Sequence, residues 1–311
     1  MDGRRPVPIG TLAVIGVGLI GGSLALALRA AGAVGCVLGV GRSRANLEEA
    51  QRLGIIDRIA ELPEAARADV VFVATPVAQM PAVFAALRPH VGKTTVITDG
   101  GSTKCDVIAA ARSALGDVFP CFVPAHPIAG TEKTGAAAAF ATLYRDRKVV
   151  LCPEHETDRD AVARVEAMWR AAGATLHRLP AAQHDDVFAA VSHLPHLLAF
   201  ALVDMLAESS EAERYFHFAA SGFRDFTRIA AGSPEMWRDI TLANRQALRE
   251  RMADYRARLD RLDQWLADGG PEAVEAIERV YTRAAQARRA WQRAIEHGEP
   301  MPSFETQLTA E

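Results

Sequence analysis

The apolar run Leu12-Ala13-Val14-Ile15 passes directly into Gly16-Val17-Gly18-Leu19-Ile20-Gly21 and then into the Ala/Leu-rich segment 23–31. No other feature of the chain restricts its fold as strongly. A short unbroken apolar run is what a strand buried on both faces of a parallel sheet requires. Three glycines spaced G-x-G-x-x-G between such a strand and a helix form a dinucleotide-binding fingerprint. Gly16 permits the tight turn, Gly18 lets the backbone approach a pyrophosphate, and Gly21 lets helix and strand pack closely. Leu19 and Ile20 lie between the glycines, where the helix N-terminus supplies free N–H groups and a positive dipole end. A glycine-rich turn in an unrelated α/β domain is the alternative, and the flanking strand and helix disfavour it.

The next strand, Val37-Leu38-Gly39-Val40, should end beside the adenosine ribose. An NAD-binding chain usually carries Asp or Glu there, about 20 residues past the glycines. This chain instead reads Gly41-Arg42-Ser43-Arg44. Arg42 can pair with a 2′-phosphate and Ser43 can hydrogen-bond it, which favours NADP over NAD. The competing reading makes the arginines solvated charges and Ser43 a helix N-cap.

Further strands are expected at 70–74, 95–98, 121–123 and 148–151, with 174–178 completing the sheet. Helices are expected between them, for example at 80–87 and 107–115. From Pro180 onward no strand pattern recurs. Helical segments are expected at roughly 181–206, 212–229, 235–266 and 271–297, broken at Gly232-Ser233-Pro234 and Asp268-Gly269-Gly270-Pro271. The expected architecture is an α/β N-terminal Rossmann-type domain, residues 1–179, followed by an all-α C-terminal domain, residues 180–311.

Composition fits that plan. Half of the 311 residues are hydrophobic and the net charge is −3. There is material for a sizeable core and no electrostatic case for nucleic acid or for a basic membrane-binding face. No run is expected to reach membrane-spanning length. No signal-peptide pattern follows Met1, since the first apolar run is the first strand. The four cysteines, Cys36, Cys105, Cys121 and Cys152, are widely spaced without a C-x-x-C, as expected of reduced thiols in a cytoplasmic protein.

Three loops should gather at the carboxyl ends of the strands, where open α/β sheets bind ligands. Thr75, in Ala74-Thr75-Pro76-Val77, is expected either to contact cofactor or to cap a helix. Ser102, in Asp99-Gly100-Gly101-Ser102-Thr103-Lys104, is read either as an N-cap or as a hydrogen-bond partner for a substrate hydroxyl. His126, in Pro124-Ala125-His126-Pro127, is held rigidly between a strand end and a proline, a position more often functional than structural in a dinucleotide fold.

These words continue into others: Ile128-Ala129-Gly130-Thr131-Glu132, Ser192-His193-Leu194-Pro195-His196, and Gly222-Phe223-Arg224-Asp225-Phe226-Thr227-Arg228-Ile229-Ala230 with Met236-Trp237-Arg238-Asp239-Ile240. In this order, over almost the whole chain, they resemble the prephenate dehydrogenase family, including its arogenate-using and dual-specificity cyclohexadienyl members. The glycine word is common to many dehydrogenases; the last three are specific. The resemblance implies oxidative decarboxylation of a cyclohexadienol to an aromatic product, feeding tyrosine synthesis, in a homodimer formed through the helical domain. It implies that His126 is the base for the ring hydroxyl and that Ser102 shares that hydroxyl. Arg224 would grip a substrate carboxylate, a task suited to a guanidinium fork. His193 would be a second substrate-site residue, and Glu132 would gate the pocket or tune His126. Arg228 and Asp225 are expected in structural ion pairs, His196 beside His193, and Trp237 in packing. No metal site is expected.

Two departures stand out. The acidic residue after the second strand is missing, and the chain ends soon after His297, so no fused mutase or regulatory domain is expected. A β-hydroxyacid dehydrogenase would also join a Rossmann domain to helices, but would need a lysine after Lys148, and none follows. A nucleotide-sensing module would keep the glycines and need neither His126 nor Arg224.

Overall fold

A computed structural model describes residues 9–131, 133–297 and 300. Its first unit extends to Arg249. Strand β1 (Ile9–Ile15) leads into helix α1 (Leu19–Ala30), then β2 (Val34–Val40), α2 (Arg44–Arg52), the short β3 (Arg58–Ile59) and α3 (Leu62–Ala65). Next come β4 (Val70–Val73), α4 (Met80–Leu87), β5 (Val96–Asp99), α5 (Cys105–Leu115) and β6 (Phe122–Val123). These six strands form one parallel sheet in the order β3-β2-β1-β4-β5-β6. The order reverses between β1 and β4, the switch point at which such sheets leave a ligand crevice.

Side-chain alternation explains why the strands are apolar throughout. Leu12, Val14, Val70 and Phe72 join one buried cluster with Leu24, Leu28 and Trp169. Ala13, Ile15, Val71 and Val73 join another with Phe84, Ile97 and Phe122 on the opposite face. Successive residues point to opposite faces, so both faces need covering.

The expected single sheet is not what forms. β7 (Ala125–Pro127), β8 (Lys148–Leu151) and β9 (Thr175–Arg178), with α6 (Arg159–Ala171) between the last two, make a separate three-stranded sheet. β7 runs antiparallel to β8, and β9 parallel to it. The physical cause sits at Pro124, between β6 and β7. It has no N–H with which to continue the ladder to β5. Its carbonyl turns instead to the Cys152 N–H, at 3.0 Å.

The helical segments are also more divided than the sequence suggested. Residues 181–207 form α7 (Ala181–Phe188), one widened π turn at 189–193 and α8 (Leu194–Ala207). Then follow α9 (Ala212–Phe218), α10 (Ser221–Thr227), α11 (Pro234–Ala243) and α12 (Arg245–Asp268), the last two separated at Asn244. Because the chain stays helical through Pro195, 181–207 is long and apolar enough for a membrane span, contrary to expectation. His184, Asp185 and Asp186 occupy its first turns. The second unit, 250–311, holds most of α12 and all of α13 (Pro271–His297). The two helices are joined across Gly269, whose φ of 63° suits a residue without Cβ.

Candidate active site

The glycine loop has the shape that a pyrophosphate needs. Gly16 has φ 95°, and a Cβ there would lie 2.7 Å from the Ala74 carbonyl oxygen. A Cβ on Gly21 would lie 2.4 Å from the Gly16 carbonyl oxygen, so α1 packs against the loop only with glycine. A Cβ on Gly18 would meet nothing within 4 Å, which leaves open space over the N-terminus of α1. Leu19 and Ile20 are the first residues of that helix. Across the crevice, Thr75 caps no helix, and its buried Oγ1 has no hydrogen-bond partner among the described residues. An open cradle and an orphaned hydroxyl fit a dinucleotide. At the far end Arg42 is exposed, while Arg44 pairs with Glu48 at 2.8 Å. Ser43 caps α2 by accepting the Asn46 N–H at 3.3 Å.

At the carboxyl end of β5 lies a buried polar cluster. Asp99, at the end of β5, and Lys104 are both fully buried and paired. Asp99 also accepts from Gly101 N–H at 2.8 Å and Ala125 N–H at 3.0 Å, while Lys104 Nζ donates to the Ala125 carbonyl at 2.9 Å. Each charge is therefore hydrogen-bonded as well as paired, as burial demands. Ser102 is half-buried beside them. It does not cap α5: Lys104 holds the N-cap position, and the free N–H groups are met by Asp185 of α7.

His126, on β7, is partly buried, with Nδ1 2.8 Å from His184 Nε2. His184 Nδ1 lies 2.8 Å from Asp185 Oδ1. Phe188 packs edge-on to the His126 ring, with centroids 4.8 Å apart. Burial, with the nearby His184, Lys104 and His193, pushes the His126 imidazolium well below its ordinary pKa. The ring is neutral near pH 7 and able to accept a proton. His193, the last residue of the π turn, is buried, and desolvation lowers it to about 4. Asn244 Nδ2 lies 3.0 Å from His193 Nδ1 and 2.7 Å from the Asp185 carbonyl oxygen, which joins the two histidines to one aspartate. His196 stacks on Trp237 at 3.5 Å and its Nδ1 approaches the Ser192 carbonyl at 2.8 Å.

Arg224 stands apart from this cluster. It is 77% exposed on α10, its Nε 3.5 Å from Asp225. Glu132 lies outside the described residues. His184, Asp185 and Asn244 were not singled out in the sequence. The only signal for them is Gln183-His184-Asp185-Asp186, adjacent titratable residues at the start of an apolar helix.

Two adjoining sequence profiles match the chain: prephenate dehydrogenase, nucleotide-binding domain, over residues 24–178, and prephenate dehydrogenase, dimerization domain, over residues 180–279. The cyclohexadienyl dehydrogenase of Zymomonas mobilis is 36% identical over 261 residues, 83% of this chain and 85% of that protein. The prephenate dehydrogenase of Bacillus subtilis is 36% identical over 263 residues, 83% and 68% respectively. A crystal structure of the A. aeolicus prephenate dehydrogenase, in complex with hydroxyphenyl propionate and NAD+, superposes with a TM-score of 0.82. It is 33% identical and covers 89% of this chain and 98% of its own.

Proposed function

The chain belongs to the prephenate dehydrogenase family, an NAD(P)-dependent group of oxidoreductases, and we propose that it converts prephenate to 4-hydroxyphenylpyruvate and CO2, with arogenate as the alternative substrate. One observation carries the reading: His126, on the strand that follows β6, has its Nδ1 engaged by His184 and an imidazolium held well below its ordinary pKa by burial, so that a neutral ring is left to accept a proton. Residues 16–21 and Thr75 would hold the cofactor, which would supply a hydride acceptor for C4 of the substrate ring. His126 takes the proton of the C4 hydroxyl, and Ser102 shares that hydroxyl. Arg224 would hold a substrate carboxylate, His193 would be a second substrate-site residue, and Glu132 would gate the pocket or tune His126. Loss of the ring carboxylate then makes the ring aromatic, which drives the reaction forward.

Arg42 supports NADP use, as the exposed guanidinium next to β2; Ser43 adds a hydroxyl there. Residues 1–179 would serve the cofactor, and 180–311 the substrate and a homodimer. The four free cysteines suit a reducing cytoplasm.

The test follows cofactor reduction with prephenate and with arogenate, each with NAD and NADP. The expected result is turnover of prephenate, with NADP at least as effective as NAD. Absence of reduced cofactor with both substrates overturns the function. A preference for NAD that Arg42→Ala leaves unchanged overturns the cofactor reading alone.

A further inference from the structure

Asp185 dictates the direction of every hydrogen bond that leads to His126. Its carboxylate accepts the main-chain N–H groups of Lys104 and Cys105, both at 2.8 Å, where the first turn of α5 leaves them unpaired. Burial opposes its charge, but the bonds from His184, Cys105 and Lys104 prevail and hold its pKa below the usual carboxylate value. An ionised carboxylate only accepts. His184 therefore donates to it through Nδ1. Burial keeps His184 neutral, against the pull of Asp185, so its single ring proton is on Nδ1 and Nε2 keeps a lone pair. The 2.8 Å approach of His126 Nδ1 to that lone pair requires a proton on His126 Nδ1. Nε2 of His126 is then bare, and it is the nitrogen that can act as a base.

Building on the function proposed above, we propose that His184 and Asp185 are positioning residues of the reaction, which fix His126 in the Nδ1–H tautomer and receive the positive charge that develops there. In that step the substrate O–H bond breaks and an N–H bond forms at His126 Nε2. The Nδ1–H bond of His126 breaks as its proton passes to His184 Nε2. The charge comes to rest on His184 against Asp185. Around these three side chains lie Lys104 before α5, Cys105 and Asp106 in the first turn of α5, Asp99 of β5, and His193 after α7. Phe188 packs on both imidazoles and limits their rotation. Asn244 extends the arrangement. Its NH2 group already meets the Asp185 carbonyl oxygen, so it also donates to His193 Nδ1 and leaves the His193 proton on Nε2. One aspartate thus stands behind two histidines of opposite polarity, a bare acceptor and a donor.

Nitrogen-15 NMR of the full chain, with labelled histidine and without substrate, reads the tautomers directly near neutral pH. The expected spectrum has His126 and His184 protonated on Nδ1 and His193 on Nε2. A proton on His126 Nε2 overturns the proposal. This readout requires no turnover, so it stands even if prephenate proves not to be the substrate. The kinetic arm uses Asp185→Asn, for which kcat should fall about 10²–10⁴-fold, as loss of an orienting carboxylate does in a catalytic triad. KM should stay nearly constant. The acid limb of kcat/KM should move to lower pH, because protonated His126 loses a nearby negative charge. A fall in activity with the limb unmoved would mean that Asp185 only supports the fold. His184→Gln keeps an acceptor for His126 and a donor for Asp185, and should be less impaired than His184→Leu; equal loss overturns the positioning role.

Discussion

His126 combines partial burial with a neutral ring, the condition for a base that works near pH 7. His126→Asn should lower kcat about 10²–10⁴-fold, the usual contribution of general-base catalysis, while cofactor affinity changes little. Steady-state kinetics with a separate cofactor titration checks both. Near-normal turnover would remove His126 from the mechanism. Arg224 poses a different question, since its guanidinium is exposed and adjacent to Asp225. As the carboxylate grip, Arg224→Ala should raise KM for prephenate about tenfold or more, for the ~1.5–3 kcal/mol of a hydrogen bond to a charged group. Arg228→Ala is the comparison and should affect thermal stability rather than KM. The reverse result would move the carboxylate to Arg228. Sequence made His126 and Arg224 visible because each sits in a distinctive word. Asp185 and Asn244 were not visible, because their roles depend on distances closed only by folding, 81 residues along the chain in the case of Asp185 and Lys104.

Among the elements, the π turn at 189–193 has the clearest cause. Pro195 has no N–H for the Val191 carbonyl, and its ring would crowd that carbonyl in a regular helix. The widened turn relieves this and ends on the buried His193. Pro195→Ala would permit an ordinary helical turn there, which rotates His193 away from Asn244. The melting temperature should hold or rise while kcat/KM falls several-fold, for a lost neutral hydrogen bond of ~0.5–1.5 kcal/mol. Unchanged kinetics would show that the turn is incidental. Punctuation explains which boundaries the sequence revealed. Gly232-Ser233-Pro234 and Gly269-Gly270-Pro271 mark real helix breaks, and α4 runs over residues 80–87 as expected. Asn244 splits α11 from α12 without glycine or proline. Pro124 was in plain sight, but whether a proline ends a strand or starts a second sheet depends on what receives its carbonyl.

At the scale of the whole molecule, α7 to α11 expose large apolar side chains that a lone chain has no reason to show. Val191 is 67% exposed, Met205 60% and Phe218 77%. Full burial of side chains of this size contributes ~1.5–3 kcal/mol each, which fits a second copy of the chain as their cover. Light scattering after size exclusion should therefore give twice the 33.4 kDa chain mass, and Val191→Asp combined with Met205→Asp should reduce it to one. A parent protein that already runs as a single chain would refute the dimer. The Asp99–Lys104 pair acts over the first unit in a different way: through Ala125 it clamps the six-stranded sheet to the three-stranded one. Removing either partner alone leaves a buried charge uncompensated, at ~3–5 kcal/mol, a large part of the 5–15 kcal/mol that keeps a protein folded. Over evolutionary time these two positions are therefore locked together. A lineage can exchange them for an apolar pair only by crossing a nearly unfolded ancestor or by changing both codons at once, so among descendants of this chain they should persist, or vanish, as a unit.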